Sequence, residues 1–204
     1  MKDSQGNLVL GRTRWRRFAI VLLPAAVLGA GLMAGVANGA VPISLNVSGQ
    51  TFQVAADELR GTDFAQYPGF VTTPGSQSPI PVAASSIGHA TLKNLCQSVK
   101  VPNPLGGHII LKIRGGQGDK IVTADGLLIG LSDLAGDATF TNIRIGVDAS
   151  TVDGAKKGSK GDFAQDADAV VIKDLKQTAY YTEAGTFAVQ GLSLKLEVNG
   201  ATCF

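Results

Sequence analysis

Tryptophan, histidine and cysteine are nearly missing from this chain of 204 residues: Trp15 is its one tryptophan, His89 and His108 its two histidines, and Cys96 and Cys203 its two cysteines. Aromatic residues make up 6% of the chain, and none beyond Trp15 is an indole, which removes the stacked platforms that carbohydrate binding favours. Tyr180-Tyr181 offers a small platform at most, and a strand-edge pair is its ordinary explanation. Two histidines leave little for acid–base chemistry. His89 follows Ile87-Gly88 and His108 follows Gly106-Gly107, ordinary settings for a surface imidazole. No Gly-x-Ser-x-Gly elbow is present. Serine and aspartate are plentiful, so counting does not exclude a triad, but a triad is a matter of geometry and the spacing supplies none.

Metal and phosphate chemistry are equally thin. The histidines lack ligand spacing, and no Cys-x-x-Cys occurs. Asp148, Asp153, Asp162, Asp166 and Asp168 form an acidic stretch of the type that loop calcium sites use, without the Asp-x-Asp-x-Asp-Gly order, and it reads as a solvated loop. Gly115-Gly116-Gln117-Gly118 lacks the Lys-Ser/Thr of a phosphate loop and reads as a turn. No cofactor, metal ligand or catalytic residue is expected.

What the chain does have is one unbroken apolar run, from Phe18 to Ala37, preceded by Arg12, Arg14, Arg16 and Arg17. No charge falls inside it. As a helix, a run of this length spans about 30 Å, the thickness of a hydrocarbon core. Residues 1–40 are therefore expected to be a basic cytoplasmic segment and an export helix, with residues 41–204 on the extracytoplasmic side. The length favours a retained anchor. The small residues Gly35-Val36-Ala37-Asn38-Gly39-Ala40 favour cleavage after Gly39, and the choice stays open. Arg16-Arg17 before Phe18-Ala19-Ile20 is a loose twin-arginine match, and a general-secretion charge cluster is the simpler reading. Gly31, Gly35 and Gly39 have the small-xxx-small spacing of membrane helix pairs, which leaves a membrane-protein partner open.

Charge is unevenly divided. Lys2, Arg12, Arg14, Arg16 and Arg17 against Asp3 give the first forty residues +4, so a whole-chain charge of +2 leaves the remainder at −2. That remainder lacks the basic face that nucleic acid requires. Its one basic cluster, Lys156, Lys157 and Lys160 among glycines, reads as a solvated loop or a contact for an anionic polymer or headgroup. In an oxidising compartment Cys96 and Cys203 are expected to pair, closing a loop of just over 100 residues. The chain-entropy limit for such a loop is about 4.7 kcal/mol.

Residues 41–204 read as one all-β domain. Ile109, Leu111 and Ile113, Ile143, Ile145 and Val147, and Leu192, Leu194, Leu196 and Val198 each recur with period two, which places one set on a buried face and the alternate set toward solvent. The phase changes at Gly191, where a bulge is expected. Residues 43–47 and 51–55 flank Ser48-Gly49 as an opening hairpin. One or two helical turns are expected at 54–60 and 162–168, and a long irregular connection at 67–81, which carries Pro68, Pro74, Pro79 and Pro81. Ala90-Thr91-Leu92-Lys93-Asn94-Leu95 echoes Ala138-Thr139-Phe140-Thr141-Asn142-Ile143, and shorter echoes begin at Ala124, Ala167 and Ala184. The spacings are too uneven for a strict solenoid. An antiparallel β-sandwich or curved β-roll is expected, with a β-solenoid as the alternative.

Several segments resemble one family together: Asn94-Leu95-Cys96-Gln97-Ser98-Val99 with Pro102; 134–140 running into Ile145-Gly146-Val147-Asp148-Ala149; 161–168; and Ala184-Gly185-Thr186-Phe187 with Gly191-Leu192. With the Arg-Trp-Arg-Arg-Phe leader, the chain resembles an uncharacterised family of exported actinomycete proteins that is often labelled cholesterol esterase. The resemblance implies an envelope protein of a Gram-positive mycelial bacterium and carries over no catalytic residue. The small aliphatic composition fits a compact core or an apolar cavity for acyl chains. The expected function is thus non-enzymatic: binding a lipid or other hydrophobic partner on the extracytoplasmic face. A lipid esterase and a self-assembling surface protein are the alternatives.

Overall fold

The computed structural model describes residues 45–46, 48–75 and 78–204. Arg12, Arg14, Arg16, Arg17, the run from Phe18 to Ala37 and the boundary at residue 40 lie outside the described residues. Those described belong to one compact unit, Gly39–Phe204. Ten strands make a single sheet: β1 (Leu45–Asn46), β2 (Phe52–Thr72), β3 (Ile80–Lys93), β4 (Leu95–Pro102), β5 (His108–Gly115), β6 (Val122–Thr141), β7 (Arg144–Asp148), β8 (Phe163–Glu183), β9 (Thr186–Val189) and β10 (Ser193–Val198). No helix occurs among the described residues.

The long strands close on themselves. β2 pairs antiparallel with β3, β3 with β6 and β6 with β8, and β8 returns to β2, where residues 52–64 run against 167–179. The all-β class holds, but the expected sandwich or roll is replaced by a closed four-strand barrel with added strands. A sandwich leaves free edges on two sheets, whereas β2 and β8 satisfy each other's edges. The antiparallel closure also rules out a solenoid.

A barrel this narrow has little interior, because diameter grows with strand number. Leu59, Ile87, Leu127, Ile129, Val170, Ile172 and Leu175 fill it, with Ala90, Ala124, Ala167 and Ala179 where strands approach. Phe64 and Phe140 meet with centroids 5.4 Å apart. A Cβ on Gly61 would lie 2.6 Å from the Ile87 side chain. The aliphatic composition therefore makes a core. The apolar hollow beside Val54, Leu59, Leu92 and Leu127 measures about 30 Å³, far below the roughly 300 Å³ at which ligand pockets begin.

Three local expectations are corrected. Residues 54–60 and 163–168 are strand; the buried face of β2 passes from Val54 and Ala56 to Leu59 and Gly61, and that slip in phase mimics a helical spacing. The opening hairpin is absent: β1 pairs in parallel with the far end of β2, Leu45 opposite Val71. The irregular 67–81 connection shrinks to 73–79, because Pro68 sits opposite Ala83 beyond the point where β8 leaves β2, an edge position that tolerates proline.

The pairing pattern is unchanged when β2 is exchanged with β8 and β3–β4 with β6–β7. Thr62 opposite His89 then matches Lys173 opposite Asp137, and Ala55 opposite Cys96 matches Asp166 opposite Arg144. Special backbone positions follow the same exchange: Asp63 (φ 53°) with Asp174 (φ 51°), and Asn94 (φ 51°) with Asn142 (φ 54°). Each of these asparagines donates its side-chain amide to an aspartate on the neighbouring strand, Asn94 to Asp57 and Asn142 to Asp168. The barrel is two copies of one strand pair.

The 149–162 connection is pinned to the barrel. Ala149 and Val152 are buried against Ala65, Tyr67 and Ala164. Asp148 accepts from Ser150 N, Ser150 Oγ and Gly161 N, which closes the loop and lowers its carboxyl below the usual range. Asp166, 2% exposed, takes a two-pronged contact from Arg144 at 2.9 and 2.6 Å and one from Asp153 N. Two aspartates of the acidic stretch thus organise a loop, and Lys156, Lys157 and Lys160 stand exposed on it.

Asn94→Ala or Asn142→Ala should each destabilise the fold by about 1–2 kcal/mol through the left-handed backbone, with Asn→Gly milder, as read by urea melts. The Arg144 guanidinium holds the Asp166 carboxyl below the ordinary range, chiefly by direct hydrogen bonding. Its contribution is therefore complete above about pH 4 and is lost as pH falls through the lowered value. Asp166→Asn should cost about 2 kcal/mol at neutral pH, less than a fully buried pair because Arg144 is half exposed, with the gap to wild type closing in acid.

Candidate functional site

Outside the barrel stands a three-stranded wing. β4 prolongs β3 along the edge of β2, β5 folds back on β4 by a hairpin, and β10 pairs with β5 as the outermost strand. Residues directly opposite share a face, so the register assigns both sides. One side carries Ser98, Lys100, Ile110, Lys112, Lys195 and Glu197. The other carries the rows Gln97–Ile113–Leu194, Val99–Leu111–Leu196 and Val101–Ile109–Val198.

Burial is the reverse of expectation. The mixed polar side faces inward: Ile110 is 0% exposed, and Ser98 and Lys112 are buried. The aliphatic side faces outward, with Leu194, Leu196 and Val198 at 58%, 69% and 68% exposure and Ile109, Leu111 and Ile113 half-buried. The alternation is as the period-two reading has it, and the covered set is the one that carries Ser98, Ile110 and Lys112. Ile143 and Ile145 likewise face out, Ile145 at 65%. Gly191 has positive φ at the turn between β9 and β10, where a bulge was expected.

The chain's own end causes the inversion. After Val198 the tail turns back beneath the wing, where Cys203 N donates to Ser98 Oγ at 3.0 Å and Cys203 is bonded to Cys96 with Cα atoms 5.8 Å apart. Lys112 Nζ reaches Glu197 at 3.2 Å. The expected cysteine pair thus fixes the last residues as a cover on the wing's inner side.

Between tail, wing and the start of β2 lies an open cleft of about 770 Å³, lined by Gln53, Ser98, Lys100, His108, Thr178 and Phe204 among others. Gln53 Oε1 is buried there without a hydrogen-bond partner. His108 donates from Nε2 to the Gly200 carbonyl at 3.1 Å, and Ser98 accepts from Cys203 N, so the cleft's imidazole and hydroxyl are held by the tail. His89 lies elsewhere, on β3, donating from Nδ1 to Asp125 at 2.6 Å with both side chains exposed. Its cross-strand neighbour Thr62 bonds to Asp63 at 3.4 Å.

At the tip of the β4–β5 hairpin, Leu105 is 96% exposed. It is held there by structure: Asn103 Oδ1 accepts from Leu105 N, Gly106 N donates to Asn103 O, and Asn103 N donates to Gly107 O. An aliphatic side chain within the turn sequence Asn-Pro-Leu-Gly-Gly is the one sequence cue to this tip.

Residues 48–204 match the sequence profile of DUF6230, a family of unknown function. Neither a curated protein nor a solved structure matches the chain.

A thiol assay on the denatured, unreduced chain should find no free cysteine. Cys203→Ser should cost about 2–5 kcal/mol and release the tail, read as faster hydrogen exchange around Ile110 and Lys112.

Proposed function

We propose that this chain, which belongs to the DUF6230 family of unknown function, acts without catalysis on the outer side of a membrane, docking on a lipid surface through the outward face of the wing. One observation carries the proposal: the outermost strand holds Leu194, Leu196 and Val198 toward solvent, beside the half-buried aliphatic rows of β4 and β5, while Ser98 and Lys112 are buried behind them. A soluble protein rarely leaves such a patch contiguous unless something covers it. Leu105 stands exposed at the hydrogen-bonded tip of the same hairpin, and the disulfide-held tail covers the wing's other side. The barrel offers an acyl chain no room, so the lipid would be met at the surface. The apolar run from Phe18 to Ala37 would bring the domain to a membrane.

The rival reading, an ester hydrolase, draws on the His89–Asp125 pair, whose Nδ1–carboxylate contact has the orientation of a base held by its partner. It needs a nucleophile at the other ring nitrogen, whereas the hydroxyl of Thr62, opposite His89 on β2, bonds to Asp63.

Sedimentation of the unit 39–204 with mixed phosphatidylcholine–phosphatidylglycerol vesicles tests the proposal. Leu105→Ser and Leu196→Ser should each weaken binding about tenfold, the scale of one leucine buried from water, while His89→Ala leaves it unchanged. Equal binding by wild type and both serine variants would contradict it.

A further inference from the structure

The outermost strand of the wing has an unused edge. β10 pairs with β5 on one side, and among the described residues no strand covers the other. Such an edge is a template for another strand, and proteins commonly guard it with a lysine. Lys195 occupies that position, but Glu197 lies two residues on, on the same side of the strand.

That spacing makes the edge self-complementary. If two copies of β10 run antiparallel about a two-fold axis at Leu196, Leu196 faces Leu196, Leu194 faces Val198, and Lys195 of each copy faces Glu197 of the other. A register centred on 195 or 197 sets like charges opposite each other. A slip of one residue sets apolar side chains against charged ones. One alignment alone satisfies both faces.

The monomer's own charges fit the same alignment. Lys112 and Lys195 stand directly opposite across β5 and β10, and like charges so placed repel. Glu197, next but one to Lys195 on the same side of β10, is bonded to Lys112 at 3.2 Å. A second copy would bring a further Glu197 to Lys195.

We infer that the chain pairs with a second copy of itself through β10, joining two wings into one six-stranded sheet. The two apolar faces then become continuous across the axis, since the rows through Leu196 and Val198 run on into the partner. The edge is engaged through backbone and charge, so this pairing is independent of what the outward face docks on.

Charge exchange tests it, using sedimentation velocity of the full chain in mild detergent. Lys195→Glu sets carboxylate against carboxylate in the pair but places a new carboxylate beside Lys112, so the fold is not undermined. It should weaken association about tenfold or more. Glu197→Lys should do the same. An equimolar mixture of the two single variants should regain wild-type association, because each supplies the charges the other lacks; the double exchange K195E/E197K should also regain it in one chain. Wild type that stays monomeric, or Lys195→Glu that associates as wild type does, would overturn the inference. Self-association that persists through every charge variant would assign it to another surface and overturn it equally.

Discussion

The return of β8 onto β2 governs the rest of the molecule. Once residues 52–64 are paired with 167–179, four strands enclose a narrow core that leucine, isoleucine and valine fill, with alanine and Gly61 at the closest approaches. The scarcity of aromatics and the aliphatic richness are then consequences of closure. Closure also settles where the remaining strands go. β4 continues along the edge of β2, so β5 and β10 are built outward from the barrel as a wing that no second sheet covers among the described residues.

A wing so placed needs a second layer on at least one side, and the chain supplies one from its last residues. The Cys96–Cys203 bond and the Cys203–Ser98 contact bring the tail under the side that carries Lys112 and Glu197. The charged residues therefore meet each other and the tail, while the leucines and valines are left outside. The disulfide is the covalent part of a choice between two faces, and both functional proposals depend on that choice: one uses the face, the other its edge.

Much of this was legible. Alternation at 109–113 and 192–198 gave the strands, an even number of cysteines without Cys-x-x-Cys spacing pointed to the pair, and the echo between residues 90–95 and 138–143 marked true structural equivalents, Asn94 and Asn142. What the echo did not reveal was the full duplication, because the copies occur in opposite order: β2 precedes β3, whereas β8 follows β6. A tandem search expects the same order twice. The outward face of the wing was also invisible, since periodicity separates two faces without saying which is covered. Here the cover is the tail, more than ninety residues after β4 and β5 begin, and no local pattern carries that information. The closed barrel was missed for the same reason, since the β2–β8 ladder joins residues over one hundred apart.

Every role assigned to the wing depends on its aliphatic side facing outward and its charged side inward. Hydroxyl-radical footprinting of the protein in solution, read residue by residue by mass spectrometry, tests it most directly. The account predicts strong labelling of Leu105, Leu194 and Leu196 with Ile110 protected, and loss of labelling at the three leucines when lipid vesicles are added. Protected leucines in the free protein, with Ile110 labelled, would mean that the wing is turned the other way.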